Sequence, residues 1–196
     1  MKTKKNIADK IIELFENIGI LKRLPRMGWK IRGVPECETV AAHSFRVVFI
    51  ALIIGELIKN KYEINFEKLL KCAVLHEIPE TYITDLALKP AQYIGFDIKK
   101  NAEISAFKDI FKDFKFGAEY LNNWLEFENS LTIEGKIVRI ADKMDMMIQA
   151  YEYEKNGTRG LEDFWRNSAN FENYEIDIVA DIYGALKKKK KELRKN

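Results

Sequence analysis

The sequence predicts an all-α fold. Apolar residues recur at steps of three and four through nearly every segment, which is the spacing of one helix face. No run alternates apolar and polar residues long enough to build a sheet, and no repeat or linker divides the chain. With 196 residues, 47% of them hydrophobic, the chain suits a single soluble domain with a substantial core.

The elements follow in order. Ile7, Ile11, Ile12, Leu14, Phe15 and Ile18 give a first amphipathic helix, closed by Gly19. A polar loop punctuated by Pro and Gly runs from Lys22 to Glu38. A second helix spans about 39–60. Asn65 is a suitable N-cap for a third, whose core face is Leu69, Leu70, Ala73, Val74 and Leu75. Pro79 should end or kink it, because proline lacks the N–H and clashes with the preceding turn. Further helices fit about 98–115, 117–129, 133–156 and 175–194.

The bulk numbers exclude several classes. Basic residues number 33 and acidic residues 30, a net charge of +3, which argues for no nucleic-acid partner. The basic excess is local: Lys2, Lys4 and Lys5 at one end, and Lys187 to Lys191, Arg194 and Lys195 at the other. Such runs read as solvated tails. Cys37 and Cys72 form no CxxC pair, and no signal peptide opens the chain, so free thiols in a reducing cytoplasm are expected. The longest apolar run, Val47 to Gly55, is about half the roughly 20 residues of a membrane span, so no membrane is expected.

The chain holds only two histidines, His43 and His76. His43 lies on the stripe Val40, His43, Val47, Ile50, Ile54, and His76 on the stripe Leu69, Ala73 (or Cys72), His76. Glu77 follows His76 at once. Asp142 sits on a third stripe with Val138, Ala141, Asp145 and Ile148. Singly, each has an ordinary structural reading: a hydrogen-bonded core histidine or a paired carboxylate. Together they are hard to explain as accidents, because a buried unpaired charge costs several kcal/mol or neutralises. One divalent cation would satisfy all four, since imidazole nitrogen and carboxylate oxygen are both ordinary ligands of first-row metals.

His76-Glu77-Ile78-Pro79-Glu80 begins like the zinc-protease motif HExxH. Its fifth residue is Glu80, and Pro79 breaks the helix that would align positions one and five. There is no GxxxxGK[ST] loop and no GxGxxG.

These residues resemble the HD-domain metal-dependent phosphohydrolases, whose pattern is a His, a His-Asp pair and a distant Asp. Here that maps to His43, His76-Glu77 and Asp142. The closer resemblance is to the bacterial 5′-deoxynucleotidases and their eukaryotic HD-domain-containing relatives. It is carried by Leu21 to Trp29, by Glu38-Thr39-Val40-Ala41-Ala42-His43-Ser44, by His76 to Glu80 continued to Thr84-Asp85-Leu86, and by Lys136 to Tyr153. It spans about 7–171, leaving a basic C-terminal helix or tail at about 175–196. Two departures stand out. Glutamate replaces aspartate at 77, a stem one methylene longer. Gly28 precedes Trp29 where the bacterial enzymes carry an arginine, which leaves Arg26 or Arg32 to supply that charge.

The resemblance implies one HD-type helical bundle over 1–196, with a metal site between helices. It also implies hydrolysis of 2′-deoxynucleoside 5′-monophosphates, in a cytoplasmic homodimer. The metal ligands would be His43, His76, Glu77 and Asp142, with Mn, Co, Fe, Ni, Zn or Mg as the ion. Glu80 would orient the attacking water or protonate the leaving 5′-oxygen, and Asp85 would hold a sugar hydroxyl or a water. Trp29 would stack on the base or wall off the sugar. Arg26, Arg32 or Lys143 would neutralise the phosphate. Two other readings use the same centre: hydrolysis of a triphosphate or cyclic phosphodiester, and a metal-binding nucleotide sensor without turnover.

Overall fold

The computed structural model describes residues 6–193. Lys2, Lys4, Lys5, Arg194 and Lys195 of the two basic ends lie outside the described residues. In chain order the α-helices are α1 (Ile7–Ile18), α2 (Met27–Lys30), α3 (Val40–Ile58), α4 (Phe66–Leu75), α5 (Glu80–Ile83), α6 (Leu88–Ile94), α7 (Phe96–Ile110), α8 (Gly117–Glu128), α9 (Ile133–Lys155), α10 (Glu162–Arg166) and α11 (Asp177–Leu193). Single 3₁₀ turns occupy Gly19–Lys22 and Ser168–Phe171. Among the described residues there is no strand beyond one antiparallel bridge, Pro25 to Thr39. The all-α reading holds.

The long helices start where local chemistry starts them. Asn6 caps α1: its side chain accepts the Asp9 N–H at 2.9 Å, and the Asp9 carboxylate accepts the Asn6 N–H at 3.2 Å. Asn65 caps α4 by accepting the Lys68 N–H at 3.0 Å. The end of α4 differs from a simple stop at Pro79. The helix finishes at Leu75, four residues earlier, because the proline ring clashes with the carbonyl of residue i−4. The segments α2, α5, α6 and α10 are too short for a hydrophobic period to show, so the sequence left them as loop.

The chain forms two compact units. One comprises the residues up to Ala42 together with Leu75–Trp124, the other His43–Val74 together with Leu125 onward.

In the first unit, α5 and α6 pack on α7. Its aromatic core holds Phe107, 5.0 Å from Phe111 and 6.0 Å from Trp124 between ring centroids. These three rings are buried. The loop from Lys22 to Glu38 is pinned to the start of α3: Arg26 N–H donates to Glu38 O at 3.0 Å and Val40 N–H to Leu24 O at 2.8 Å.

In the second unit, α9 is buried nearly all round, by Ile137, Val138, Ile140, Ala141, Met144, Met147 and Ala150. Gly55 lets α3 approach α4, since a Cβ there would stand 2.8 Å from Leu69 Cδ2. Gly135 does the same for α9 and α8, where a Cβ would stand 2.4 Å from the Glu126 carbonyl oxygen. Part of the C-terminal basic run is not a solvated tail. Lys187 lies 3.8 Å above the Phe171 ring, and Lys190 pairs with Glu154 while covering Trp165. Long lysine stems cover apolar surface while the ammonium finds a carboxylate or an aromatic face.

Helix α3 has a second character. Val40, His43, Val47, Ala51, Ile54 and Ile58 are buried, while Phe45, Phe49, Ile53 and Leu57 are exposed at four-residue steps. Its 19 residues reach a mean hydropathy of 1.8, long and apolar enough by composition to cross a membrane, yet 33% of that window is buried against the protein.

Candidate metal centre

The α3–α9 side of the site is built from two helical repeats. His43 is fully buried on α3. Its Nε2 lies 3.4 Å from Asp142 Oδ1 on α9. Its Nδ1 lies 2.5 Å from Asp145 Oδ2, one turn further along α9. One turn beyond His43, Arg46 Nε donates to the other oxygen of Asp145. The rest of the Arg46 fork goes to Gln149 Oε1 at 2.5 Å and to both oxygens of Glu152, at 2.9 and 3.1 Å. Burial works against the Arg46 charge, but Asp145 and Glu152 outweigh it and raise its pKa above the usual guanidinium value.

The other side comes from short pieces around Pro79. His76 is the first residue after α4, and its carbonyl, released from the helix ladder, accepts the Trp124 indole N–H at 3.1 Å. Glu77 follows in the turn. Pro79 is the N-cap of α5, which places Glu80 in its first turn. Thr84 then takes φ 67°, ψ 165°, a region suited to glycine, and turns the chain so that Asp85 Oδ2 accepts the Met27 N–H at 3.0 Å. Arg26 stands amid three carboxylates, 2.7 Å from Glu77, 3.5 Å from Asp85 and 3.9 Å from Glu80.

Burial, then the Glu77 and Asp85 charges, push Glu80 well above the usual carboxylate range, with Arg26 opposing. Its Oε2 is buried without a hydrogen-bond partner.

His43 and Asp142 offer ligand atoms from the second unit, and His76 and Glu77 offer theirs from the first. An ion bonded at about 2.1 Å sets tetrahedral donors about 3.4 Å apart. The His43–Asp142 separation of 3.4 Å matches that edge, and His76 Nε2 to Glu77 Oε1 at 3.9 Å needs a small contraction. Two imidazoles and two carboxylates suit a divalent first-row cation. The residues present therefore fit a divalent metal.

The remaining candidates fall as follows. Trp29 is 2% exposed, its indole N–H donating to Glu38 at 2.9 Å, which leaves it a wall rather than an open stacking face. Arg32 donates to the Gly28 carbonyl at 2.9 Å. Lys143 Nζ lies 3.5 Å from Asp142 Oδ2. Cys72 is pushed up to about 12 by burial, an inert core thiol. Sequence reasoning passed over Arg46 and the role of Asp145. Their signal was positional, each standing three residues beyond a candidate ligand on the same stripe.

The geometry agrees with comparison to known proteins. The family model described as HD domain matches residues 18–182. The 5′-deoxynucleotidase HDDC2 of Danio rerio is 33% identical over 149 residues, 75% of this chain and 71% of its own. The human protein of that name is 30% identical over 183 residues, 89% of this chain and 85% of its own. A solved structure of a conserved hypothetical protein from Pyrococcus furiosus is 42% identical, with a TM-score of 0.78, covering 92% of this chain and 99% of that one. Similarity of that extent, over the segments that carry the four donors, shows that the chain belongs to the HD domain family.

Proposed function

We propose that the protein is a metal-dependent 5′-deoxynucleotidase, releasing phosphate from 2′-deoxynucleoside 5′-monophosphates. The observation that carries this reading is the donor set His43, His76, Glu77 and Asp142, two imidazoles and two carboxylates, in a chain where Glu80 follows Glu77 by one turn and has its pKa raised by burial. The relatives named 5′-deoxynucleotidase support the substrate class. Here His43, His76, Glu77 and Asp142 are the metal ligands. A divalent ion held there supplies Lewis acidity toward a phosphoryl oxygen and acidifies water.

The chain's own residues do the rest. Glu80 is the proton donor to the leaving 5′-oxygen, a role favoured by burial and two neighbouring carboxylates, which raise its pKa. Asp85, fixed by Met27 and Arg26, presents its carboxylate to a sugar hydroxyl. Lys143 beside Asp142 is the cation for the phosphate. Arg26 holds the carboxylates in place, with Arg32 the alternative for charge near the substrate. Trp29 walls the sugar. The chain acts as one HD domain in the cytoplasm. It works as a homodimer, for which the exposed stripe Phe45, Phe49, Ile53, Leu57 offers an uncharged face.

The test is a phosphate-release screen over dNMPs, NMPs, dNTPs and cyclic dinucleotides with Mn²⁺, Co²⁺ and Mg²⁺. Turnover of dNMPs above the other substrates is expected. Preference for triphosphates or cyclic dinucleotides, or metal binding with no turnover on any of them, would replace this reading.

A further inference from the structure

We infer that Asp145, clamped by Arg46, is the positioning residue of the metal centre: it fixes the ring of His43 so that Nε2 is the ligating nitrogen. The inference rests on the proposed metal site and assigns a role to a buried ion-pair ladder that the hydrolytic chemistry does not itself use.

Three observations carry it. First, Asp145 is 0% exposed, and each of its oxygens has one partner, His43 Nδ1 and Arg46 Nε. A carboxylate only accepts hydrogen bonds, so Nδ1 carries the proton and the Nε2 lone pair is directed to the Asp142 side. Second, Arg46 is engaged by protein partners. Its Nε goes to Asp145, its Nη1 to Glu152 and its Nη2 to Gln149, four bonds from the five N–H groups of the fork. The fork is thereby held in the direction of Asp145. Third, the spacing is periodic. His43 and Arg46 stand one turn apart on α3, as Asp142 and Asp145 do on α9, so one pair of helical turns supplies ligands and the next pair locks them. Histidine ligands elsewhere commonly donate their second N–H to a carboxylate, which fixes the ring and raises its basicity.

The rival for the same atoms is a second cation held between His43 Nδ1 and Asp145. It requires Nδ1 to give up its proton, and so predicts two ions per chain where positioning predicts one.

The experiment uses the full chain with Asp145→Asn, and Arg46→Gln as the second variant should the first fail to fold. Metal affinity is read by competition of Mn²⁺ or Co²⁺ against a chelator, stoichiometry by elemental analysis, and the His43 tautomer by ¹⁵N NMR of the metal-free protein. Wild type should show one ion and an Nδ1-protonated His43. Asp145→Asn should bind metal about 10–100-fold more weakly and lose the single tautomer, and Arg46→Gln should do the same to a smaller degree. An unchanged tautomer and unchanged affinity in the variant that folds would overturn the proposal. So would a wild type with two ions of which Asp145→Asn loses one. The tautomer readout needs neither metal nor turnover, so a failure of the nucleotidase reading leaves this test intact.

Discussion

Two arginine-centred clusters stand beside the candidate site residues, and they are opposites in construction. Arg46 sits between two long regular helices and is matched: Asp145, Gln149 and Glu152 fill its fork, and Asp145 is in turn filled by His43. Arg26 sits in a loop at the N-cap of a four-residue helix and is outnumbered by Glu77, Glu80 and Asp85. The first arrangement is a network in which each charged group meets an opposite charge. The second gathers three carboxylates round one guanidinium, with a buried carboxyl oxygen without a partner and a threonine in a glycine conformation. Under the proposed function the matched cluster would hold a ligand still, and the other would supply the acid–base group.

The largest effect should come from breaking the matched side. His43→Ala removes one donor and leaves Asp145 Oδ2 without its partner, while Arg46 stays on Oδ1. Metal content by elemental analysis should fall to background, and dNMP turnover with it. A buried acceptor left unsatisfied costs roughly 1–3 kcal/mol, so urea melts of the metal-free variant should show a stability loss of that order. Retention of one tightly held ion per chain in His43→Ala would remove His43 from the ligand set.

Next in size is the unmatched side. Glu80→Gln should keep the metal and slow hydrolysis by roughly 10²–10⁴-fold, the usual worth of a positioned proton donor. Its stability signature has the opposite sign to a lost ion pair. The folded protein holds the Glu80 proton more tightly than the unfolded chain does, because of burial and then the charges of Glu77 and Asp85. That contribution is fully present below the ordinary carboxylate value of 4.5 and is lost as pH rises through the raised folded value. Metal-free wild type should therefore lose stability on going from acid toward neutral pH, and Glu80→Gln should be spared that loss. Parallel stability curves for the two proteins would mean that Glu80 titrates normally.

Glu77 separates the two clusters more finely, because it is both a candidate ligand and the nearest partner of Arg26. Glu77→Gln should weaken metal affinity by about 10-fold or more while leaving the Arg46 ladder untouched. Glu77→Asp restores the family's residue. It should retain metal and shift turnover, since its shorter stem cannot keep both the ion and the Arg26 contact. Equal metal affinity in Glu77→Gln and wild type would leave a three-ligand site.

The sequence showed the matched half better than the unmatched half, for a physical reason. His43, Asp142 and Asp145 lie on helices of 19 and 23 residues, where a period of 3.6 is readable and a polar residue on the buried stripe stands out. What it hid there was pairing. Arg46 looked like the boundary of an apolar run, because no pattern along one helix reports what a neighbouring helix brings. Around Arg26 the elements are four residues long and set by Pro79, Thr84 and hydrogen bonds across more than 50 residues of sequence. Glu80 and Asp85 were reached through the family resemblance, not through any period. Trp29 was legible as a site residue, yet its burial and its bond to Glu38 depend on the pinned loop.

The smallest effect, and the sharpest probe of the unmatched side, is Thr84→Gly. Thr84 is exposed, so little packing is lost on truncation. Its φ of 67° and ψ of 165° place a β-branched residue where glycine alone is comfortable, at a cost of roughly 1–3 kcal/mol. Glycine removes that strain but widens the conformations open to the unfolded chain, which offsets about 1 kcal/mol of the gain. Net stability should therefore change by no more than about 2 kcal/mol, upward. Function should move the other way. Thr84 sets the direction of Asp85, which caps the Met27 N–H and touches Arg26. A looser turn lets Asp85 wander, so the KM for a dNMP should rise several-fold with the metal still bound. Unchanged stability together with unchanged KM would show that the turn is set by Asp85 and Met27 alone, and that the strained threonine contributes nothing to the site.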